Sequence, residues 1–276
     1  MSGNDDQIAY WNGPIGEKWA RFQTVMDANL SEASDAALAL AAPKAGERVL
    51  DIGCGAGTTS RALAAMVGPS GRVTAVDVSR PLLTQARSAA VPANLEFLEA
   101  DASVQAFGAD HDLLFSRFGV MFFDVPAAAF AHLRGALKPG GRLAFVCWRP
   151  AAQNEWVSLP LEVAMRFVPP QPPADPHAPG PFAFADPERL RGILAKAGFK
   201  DIAITPFDGH MNLGTSPADA AFQVVNLGPT ARLLHDADDD TRAKVEAAVR
   251  EMFAGRQKDG EAIRPAIACW LVAAKA

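Results

Sequence analysis

Three glycines and one aspartate form the most distinctive chemical pattern in the sequence. Residues 49–58 read VLDIGCGAGT, so an apolar run leads directly into the spacing D-x-G-x-G-x-G. Glycine carries no Cβ, and a turn built from it can fold tightly and bring its backbone close to a ligand. A helix that begins behind the turn would add unpaired backbone N–H groups at the same place. The segment predicts a ligand-binding turn between a strand and a helix.

Two classes of ligand suit a glycine-rich turn. The dinucleotide fingerprint G-x-G-x-x-G binds a pyrophosphate at the helix N-terminus and is followed by an acidic residue about 20 positions on. Here the spacing differs, and Asp51 stands at the strand end, where its carboxylate would repel a pyrophosphate. The same carboxylate would attract an amino group or a sulfonium. The pattern favours a cationic cofactor and leaves NAD(P) as the alternative.

A second acidic residue, Asp77, closes the next apolar run, at 72–76. At the tip of a neighbouring strand, its two carboxylate oxygens could accept hydrogen bonds from the two hydroxyls of a ribose. An aspartate after a strand often serves only as a helix N-cap, and Asp77 does precede a helical segment. Because Asp77 occurs together with the glycine turn, the ribose-binding role is favoured over the N-cap role.

The elements that must position these residues alternate regularly between residues 46 and 149. Near-continuous apolar strands separated by helices are typical of parallel strands that are buried on both faces and joined by right-handed crossovers. This predicts an α/β fold with a doubly wound sheet. The predicted strands are 48–52, 72–76, 95–98, 113–116 and 142–148, followed by 201–205 and 266–273, and the predicted helices of the core are 58–67, 81–89 and 126–137.

Proline and glycine predict two further boundaries. Asp186 and Pro187 are typical of an N-cap and a first helical residue, and Gly198 should end the helix that they begin. The sequence KPGG at 138–141 predicts the end of a helix and the start of the next strand.

Three segments lie outside the predicted core of a single domain, 1–276. Residues 1–42 contain large aromatic side chains and then an alanine-rich helix; residues 150–185 are rich in proline, and no regular helix is expected over 150–181. Residues 216–258 predict two or three helices. Long insertions on a compact sheet more often carry specificity than support the fold, so both insertions are expected on the substrate side.

Composition excludes several classes of protein. The chain has 26 basic and 31 acidic residues, a formal charge of -5, which argues against nucleic acid as the main partner. No apolar stretch is long enough for a membrane helix, and residues 1–6 are polar and acidic, unlike a targeting peptide, so the cytoplasm is expected. Neither the three separated cysteines nor the five scattered histidines have metal-ligand spacing, so no metal is predicted.

Taken together, five segments resemble class I S-adenosylmethionine-dependent methyltransferases, in particular the small-molecule branch that includes the ubiquinone and menaquinone methyltransferases. They are VLDIGCGAGTTS (49–60), VTAVDVS (73–79), EFLEADA (96–102), HDLLFSRFGVMFF (111–123) and LRGALKPGGRLAFVCW (133–148). The resemblance implies a Rossmann-like seven-stranded sheet, S-adenosylmethionine as cofactor, and methyl transfer to a small molecule. It also implies the residues that would meet the cofactor: Asp51, Gly53, Gly55, Gly57 and Thr58 around the methionine part, Asp77 at the ribose, Val78, Asp101 and Ala102 at the adenine, and Ser116 and Arg117 at the methionine end.

The acceptor pocket is expected from Phe118, Met121 and Phe122 after the fourth strand and Trp148 after the fifth. An apolar lining suits an aromatic or lipid-like acceptor, although a core-packed loop would have the same composition. The sequence Ser116-Arg117-Phe118-Gly119 stands where nucleic-acid and protein methyltransferases often carry an Asn-Pro-Pro-Tyr-type tetrapeptide, which disfavours a nucleic-acid base as acceptor. No histidine has a position that predicts a catalytic base.

The aromatic residues Tyr10, Trp11 and Trp19 precede every predicted strand. They predict an N-terminal lid over the cofactor that would keep water out, with a helix merely packed against the domain as the alternative. Two other functions stay open at this point, a non-catalytic S-adenosylmethionine-binding regulator and an NAD(P)-dependent oxidoreductase. The methylated atom, the acceptor and the oligomeric state do not follow from the sequence.

Overall fold

A seven-stranded sheet organises the chain, in a computed structural model that describes residues 4–170, 175–258 and 260–276. The strand order is β3-β2-β1-β4-β5-β7-β6. Strands β1 to β5 pair in parallel, and β7 runs antiparallel between β5 and β6. The strands are β1 (Arg48–Ile52), β2 (Arg72–Asp77), β3 (Leu95–Glu99), β4 (His111–Arg117), β5 (Leu137–Trp148), β6 (Lys200–His210) and β7 (Ala266–Lys275).

Helices pack around this sheet and cover both of its faces. Successive residues of a strand point to opposite faces, and Val49 and Leu50 of β1, like Leu113 and Leu114 of β4, are all fully buried. The helices are α1 (Asp5–Asn12), α2 (Pro14–Arg21), α3 (Gln23–Asn29), α4 (Ser31–Ala41), α5 (Thr58–Val67), α6 (Arg80–Ser88), α7 (Pro126–Arg134), α8 (Glu155–Ala164), α9 (Pro187–Lys196), α10 (Pro217–Asn226), α11 (Pro229–Leu233) and α12 (Asp239–Arg256). The predicted α/β sheet, with its Rossmann-like order, is confirmed.

Most predicted elements lie where the sequence placed them. Helix α5 has the predicted bounds, and α9 begins after Asp186, whose side chain accepts hydrogen bonds from the N–H groups of Glu188 and Arg189. Strand β6 is longer than predicted, because it pairs with β7 as far as His210. Residues 216–258 contain three helices, α10 to α12.

Two predictions about helix boundaries were wrong. The helix expected over 126–137 ends at Arg134, because Leu137 already pairs with His111 as the first residue of β5. The KPGG sequence therefore lies inside β5, where Gly140 takes a φ of 80°, and it does not separate a helix from a strand. The expected lack of regular helix over 150–181 was also wrong for its first part, which forms α8; residues 171–174 lie outside the described residues.

Helix α8 tolerates a proline in its interior. Pro160 cannot donate the backbone hydrogen bond that its position would make, which weakens an isolated helix. Val157, Pro160, Val163 and Ala164 are all buried against the rest of the chain. The burial of this apolar side against the rest of the chain offsets the missing hydrogen bond. The local proline content alone did not predict this stabilisation.

Residues of helices α8 and α10 line a cavity together with residues at the carboxyl ends of the parallel strands. Helices α8, α10, α11 and α12 pack against one another, and side chains of the N-terminal helices contact α10. The Lys18 ammonium donates a hydrogen bond to the Asn226 carbonyl at 3.0 Å, and the rings of Phe22 and Phe222 are in edge contact. Residues 4–42 and 216–258 are therefore in direct contact with each other. Among the described residues, no helix is both long enough and apolar enough to cross a membrane.

Candidate functional site

The glycine turn is held in a conformation that favours glycine. Gly53, Gly55 and Gly57 have φ values of 66°, 55° and 82°, the left-handed region that other residues rarely adopt. Gly53 also approaches the chain after β4, since a Cβ added there would lie 2.6 Å from the Gly119 Cα. The turn between β1 and α5 therefore depends on its glycines for both its shape and its packing.

Asp77 joins this turn to the end of β2. Its carboxylate accepts hydrogen bonds from the N–H of Gly55 at 2.7 Å and from the N–H of Ser79 at 2.8 Å. Burial raises the pKa of Asp77, and the backbone donors partly oppose that rise. The carboxylate thus lies beside the glycine turn, as the sequence predicted, and lines the cavity described next.

A cavity that opens to solvent lies over the carboxyl ends of β1, β2 and β4. Its wall is mostly apolar and combines strand ends with the N-terminal helices and the helical insertion. The predicted site residues that line it are Trp11, Trp19, Gly53, Gly55, Asp77, Val78, Asp101, Ala102, Arg117, Phe118, Met121, Phe122 and Trp148.

Five predicted site residues do not line the cavity and have other contacts. Ser116 donates a hydrogen bond to the Ile52 carbonyl and accepts one from the N–H of Gly119, so it fixes the two strand ends together. Gly57 provides the N-cap of α5, and Thr58, its first residue, donates a hydrogen bond to Asp27. Tyr10 contacts the guanidinium of Arg232, 5.7 Å from the ring centre. The fifth, Asp51, is completely buried.

Asp51 is a buried carboxylate behind the glycine turn. One oxygen accepts hydrogen bonds from the hydroxyls of Thr59 and Ser60, at 3.1 and 2.6 Å. The other, Oδ1, has no partner among the described residues. Burial raises the pKa of Asp51 to about 6, although the two hydroxyl donors act against the rise.

Phe118 is the strained residue of the site. It has a φ of 59°, which is rare for a large side chain and is found most often at functional sites. Its ring stacks on Trp148 with centres 4.3 Å apart, and Trp148 in turn contacts Trp156 of α8 at 5.0 Å. The three rings form an aromatic row from the end of β4 to the insertion.

The N-terminal helices are attached to the tip of β2. The Ser79 hydroxyl donates a hydrogen bond to the Trp11 carbonyl, and the Asn12 amide donates one to the Val78 carbonyl, both at 2.8 Å. The Trp11 ring is in edge contact with the rings of Trp19 and Phe122. Two of the three N-terminal aromatic residues therefore face the cavity, and Tyr10 lies outside its wall.

Several cavity residues were not predicted from the sequence. Asp27 of α3 pairs with Arg117 at 3.0 Å and also accepts a hydrogen bond from Thr58, which ties the N-terminal segment to the glycine turn. The amides of Asn29 and Gln223 are hydrogen-bonded to each other at 2.9 Å. Other unpredicted residues of the wall are Asn4, Gln7, Gln23, Met26, Leu30, Trp156, Met211, Leu213 and Leu227. They belong to segments far apart in sequence, and no local motif marks them.

A doubly wound sheet whose cavity lies at its carboxyl edge, beside a D-x-G-x-G-x-G turn and a carboxylate on the next strand, defines a class I methyltransferase architecture. Residues 49–141 match the family model described as "Methyltransferase domain". This confirms the resemblance found in the sequence, so the chain carries a class I methyltransferase domain. S-adenosylmethionine is the cofactor of that class.

Three proteins illustrate the similarity. The biotin biosynthesis bifunctional protein BioCD of Bordetella avium is 33% identical over 198 residues, 68% of this chain and 41% of that protein. The ubiquinone/menaquinone biosynthesis C-methyltransferase UbiE of Pseudomonas fluorescens is 35% identical over 112 residues, 39% of this chain and 44% of that protein. This chain thus spans less than half the length of either relative.

The third is a solved structure, Haemonchus contortus phosphoethanolamine N-methyltransferase 2 in complex with phosphomonomethylethanolamine and S-adenosylhomocysteine. It superimposes with a TM-score of 0.52 at 20% identity, over 88% of this chain and 52% of that one. At this identity the likeness supports the fold alone.

The residues present fit the cofactor of this class. Asp101 Oδ2 and Asn4 Oδ1 are buried acceptors without partners among the described residues, and both residues line the cavity. Asn4 also donates a hydrogen bond to the other oxygen of Asp101, at 3.3 Å. Two unpaired acceptors match the two N–H donors of an adenine amino group. In the described part of the chain, no three potential metal ligands cluster.

The raised pKa of Asp51 predicts a specific dependence of stability on pH. In the unfolded chain Asp51 loses its proton near pH 3.8, and in the folded protein near pH 6. Unfolding between these values releases a proton, so the contribution of Asp51 to the free energy of unfolding falls as the pH rises. Asp51→Asn removes this titration. We expect the stability of the variant, relative to the original protein, to increase by about 2 to 3 kcal/mol between pH 4 and pH 7.

Urea unfolding followed by circular dichroism at several pH values measures this difference. Gln85→Ala is a suitable control, because it changes an exposed residue that carries no titrating group and should give a difference that does not vary with pH. A difference for Asp51→Asn that does not change with pH would contradict the proposed titration of Asp51.

Proposed function

We propose that this chain transfers the methyl group of S-adenosylmethionine to a small aromatic or lipid-like acceptor. The observation that carries the proposal is the continuity of the cavity: it begins at the glycine turn and Asp77 and extends to the aromatic row of Phe118, Trp148 and Trp156. A cofactor and an acceptor held at its two ends would share one continuous cavity.

The cofactor half would use the residues around the strand ends. Gly53 and Gly55 would let the backbone approach the methionine part, and the carboxylate of Asp77 would accept hydrogen bonds from the ribose hydroxyls. Asp101 would accept a hydrogen bond from the adenine amino group. Asp51 would act through the field of its charge from behind the turn, because it does not reach the cavity wall. S-adenosylmethionine supplies a methyl carbon that is already activated by its sulfonium.

The acceptor half favours an apolar molecule. Met26, Leu30, Met211, Leu213 and Leu227 line it together with the aromatic row. The paired amides of Asn29 and Gln223 add a polar patch without a net charge. An apolar wall with a few polar groups is typical of sites for small organic ligands. UbiE, a C-methyltransferase of quinone biosynthesis by its name, supports an aromatic acceptor over a nucleic acid.

The cavity offers little general-base chemistry. Its described wall contains no histidine, lysine, glutamate or tyrosine, and its titratable groups are Asp27, Cys54, Asp77, Asp101 and Arg117. Asp27 is engaged with Arg117 and Thr58, and burial raises the pKa of Cys54 well above its usual value. In-line displacement at an activated methyl carbon requires alignment and exclusion of water more than proton transfer. The acceptor would therefore present an electron pair that is available without a protein base.

The chain would act as a single domain, 1–276, with a division of tasks. Residues 46–149 would bind the cofactor, and the insertions 150–185 and 216–258 would shape the acceptor half. Residues 1–42 would form the lid; their attachment at Ser79 and Val78, beside Asp77, supports this role. The three cysteines are unpaired and buried, which suits the cytoplasm.

Turnover tests the proposed reaction directly. The protein is incubated with S-adenosylmethionine and single acceptors from a panel of phenols, naphthols and cyclic 1,3-diketones, and S-adenosylhomocysteine and methylated products are measured by mass spectrometry. We expect equimolar formation of the two with at least one acceptor, and a loss of 100-fold or more in Asp77→Asn, since a lost charged hydrogen bond in a buried site is costly. Cofactor binding without turnover on any acceptor would favour a regulator that binds S-adenosylmethionine.

The unpaired oxygens of Asn4 and Asp101 predict discrimination at the adenine. S-inosylhomocysteine carries an oxygen where S-adenosylhomocysteine carries the amino group, so both acceptors would lose a donor. We expect calorimetry to show that the original protein prefers S-adenosylhomocysteine, and that Asn4→Ala reduces this preference roughly three- to tenfold. Gln7→Ala, in helix α1 directly after Asn4 and on the same wall, should leave the preference unchanged. An unchanged preference in Asn4→Ala would exclude the N-terminal helix from adenine recognition.

A further inference from the structure

We infer that the carboxylate of Asp27, in helix α3, binds the ammonium group at the amino-acid end of the cofactor. S-adenosylmethionine ends in an α-amino acid, which carries one positive and one negative group. This inference rests on the proposed function and deepens it, because it assigns to the N-terminal segment a direct contact with the cofactor.

The charged residues of the cavity wall follow the order of the strands. Asp101 comes after β3, Asp77 ends β2 and Arg117 ends β4, while the glycine turn follows β1. Because the strands lie in the order β3-β2-β1-β4, the proposed adenine and ribose contacts lie on one side of the glycine turn and Arg117 lies on the other. The amino-acid end of a cofactor that extends along this edge would therefore lie beside Arg117.

Asp27 is the carboxylate that the fold brings to this place, where it pairs with Arg117 at 3.0 Å. Asp51 precedes the glycine turn in sequence, but its side chain is completely buried and does not line the cavity. The other carboxylates of the described wall, Asp77 and Asp101, lie on the opposite side of the turn from Arg117. The attraction for an amino group that the sequence suggested for Asp51 is therefore better supplied by Asp27.

Both members of this ion pair can take further partners. The side chains of Asp27 and Arg117 keep 20% and 13% of their surfaces exposed, and both line the cavity. A carboxylate has about four lone-pair sites. In the described part of the chain, Thr58 and Gln23 donate to Oδ2 of Asp27 and Arg117 donates to Oδ1, so Oδ1 can accept one more hydrogen bond. Arg117 donates to Asp27 and Ser34 and keeps other N–H groups for a carboxylate.

The charges of the pair match those of an amino acid. An ammonium beside Asp27 and a carboxylate beside Arg117 would add no net charge to a partly buried site, and both contacts would be charge-assisted hydrogen bonds. A phosphate at the same place would be repelled by the Asp27 carboxylate. Because Asp27 belongs to the N-terminal segment, its contact with the ammonium would also hold the lid over the bound cofactor.

Three adenosine thioethers that differ only at this end test the inference. S-adenosylhomocysteine carries both charged groups, 5′-S-(3-aminopropyl)-5′-thioadenosine carries only the ammonium, and 5′-S-(3-carboxypropyl)-5′-thioadenosine carries only the carboxylate. Calorimetry, with displacement titrations for weak ligands, gives their affinities for the original protein, for Asp27→Asn and for Asp35→Asn. Asp27→Asn keeps the shape of the side chain and removes its charge. Asp35→Asn removes the same charge from an exposed residue of the N-terminal segment that lies outside the cavity wall.

We expect Asp27→Asn to weaken S-adenosylhomocysteine and the aminopropyl compound about tenfold or more, because each loses a charge-assisted hydrogen bond. The carboxypropyl compound has no ammonium, so Asp27→Asn should bind it at least as tightly as the original protein does. Asp35→Asn should change none of the three affinities by more than about twofold.

The carboxypropyl compound separates a contact with the cofactor from a purely structural role of Asp27 in the lid. An equal loss of affinity for all three compounds in Asp27→Asn would overturn the inference and leave only the structural role. Unchanged affinity for S-adenosylhomocysteine in Asp27→Asn would overturn it as well, while the proposed function would stand. If the original protein binds none of the three compounds, the proposed function fails together with the inference.

Discussion

The close contact between the chain segments that follow β1 and β4 is the constraint on which the site depends. Gly53 and Gly119 meet there without side chains, and a Cβ added at Gly119 would lie 2.6 Å from the Ile52 carbonyl oxygen. The Ser116 hydroxyl bridges the same two segments through Ile52 and Gly119. The contact lies where the strand order reverses, between β1 and β4, which is the place where open α/β sheets bind ligands.

Residues on both sides of this contact line the cavity. On the β1 side the chain continues into the glycine turn, which Asp77 holds through the N–H of Gly55. On the β4 side Phe118 takes its strained conformation and begins the aromatic row. A cofactor bound on the β1 side and an acceptor bound on the β4 side would meet where Gly53 contacts Gly119. Backbone contact, instead of a catalytic side chain, would bring the reactants together, consistent with a wall that has few bases.

Most of the residues predicted to bind the cofactor lie together at the cavity because their signals are local, and their role toward the cofactor stays a prediction. The glycine turn, Asp77 and helix α5 follow one another within a strand-turn-helix unit, and each type of residue has a direct conformational reason. Val78, Asp101 and Ala102 were predicted by the family resemblance and do line the cavity. Asp51 belongs to the same D-x-G-x-G-x-G pattern, but its side chain lies behind the turn. There it accepts hydrogen bonds from the hydroxyls of Thr59 and Ser60, which the pattern of glycines does not predict.

The acceptor half was less predictable because it is assembled from distant segments. Asn29, Trp156 and Gln223 come from three helices, and none lies in a motif. Helix α8 was not predicted, because the prediction rested on the local proline content. The tertiary burial that stabilises this helix is not visible in the sequence of the segment. Tyr10 and Ser116 are next to cavity residues in sequence, yet their side chains contact Arg232 and the Ile52 carbonyl. Neighbourhood in sequence did not determine the direction of these side chains.

Calorimetric titration with S-adenosylhomocysteine and with NADH, on the original protein and on Asp77→Ala, distinguishes a methyltransferase site from a dinucleotide site. We expect micromolar binding of S-adenosylhomocysteine, its loss in Asp77→Ala, and no binding of NADH. Binding of NADH, with none of S-adenosylhomocysteine, would show that the glycine turn belongs to a dinucleotide site and not to a methyltransferase.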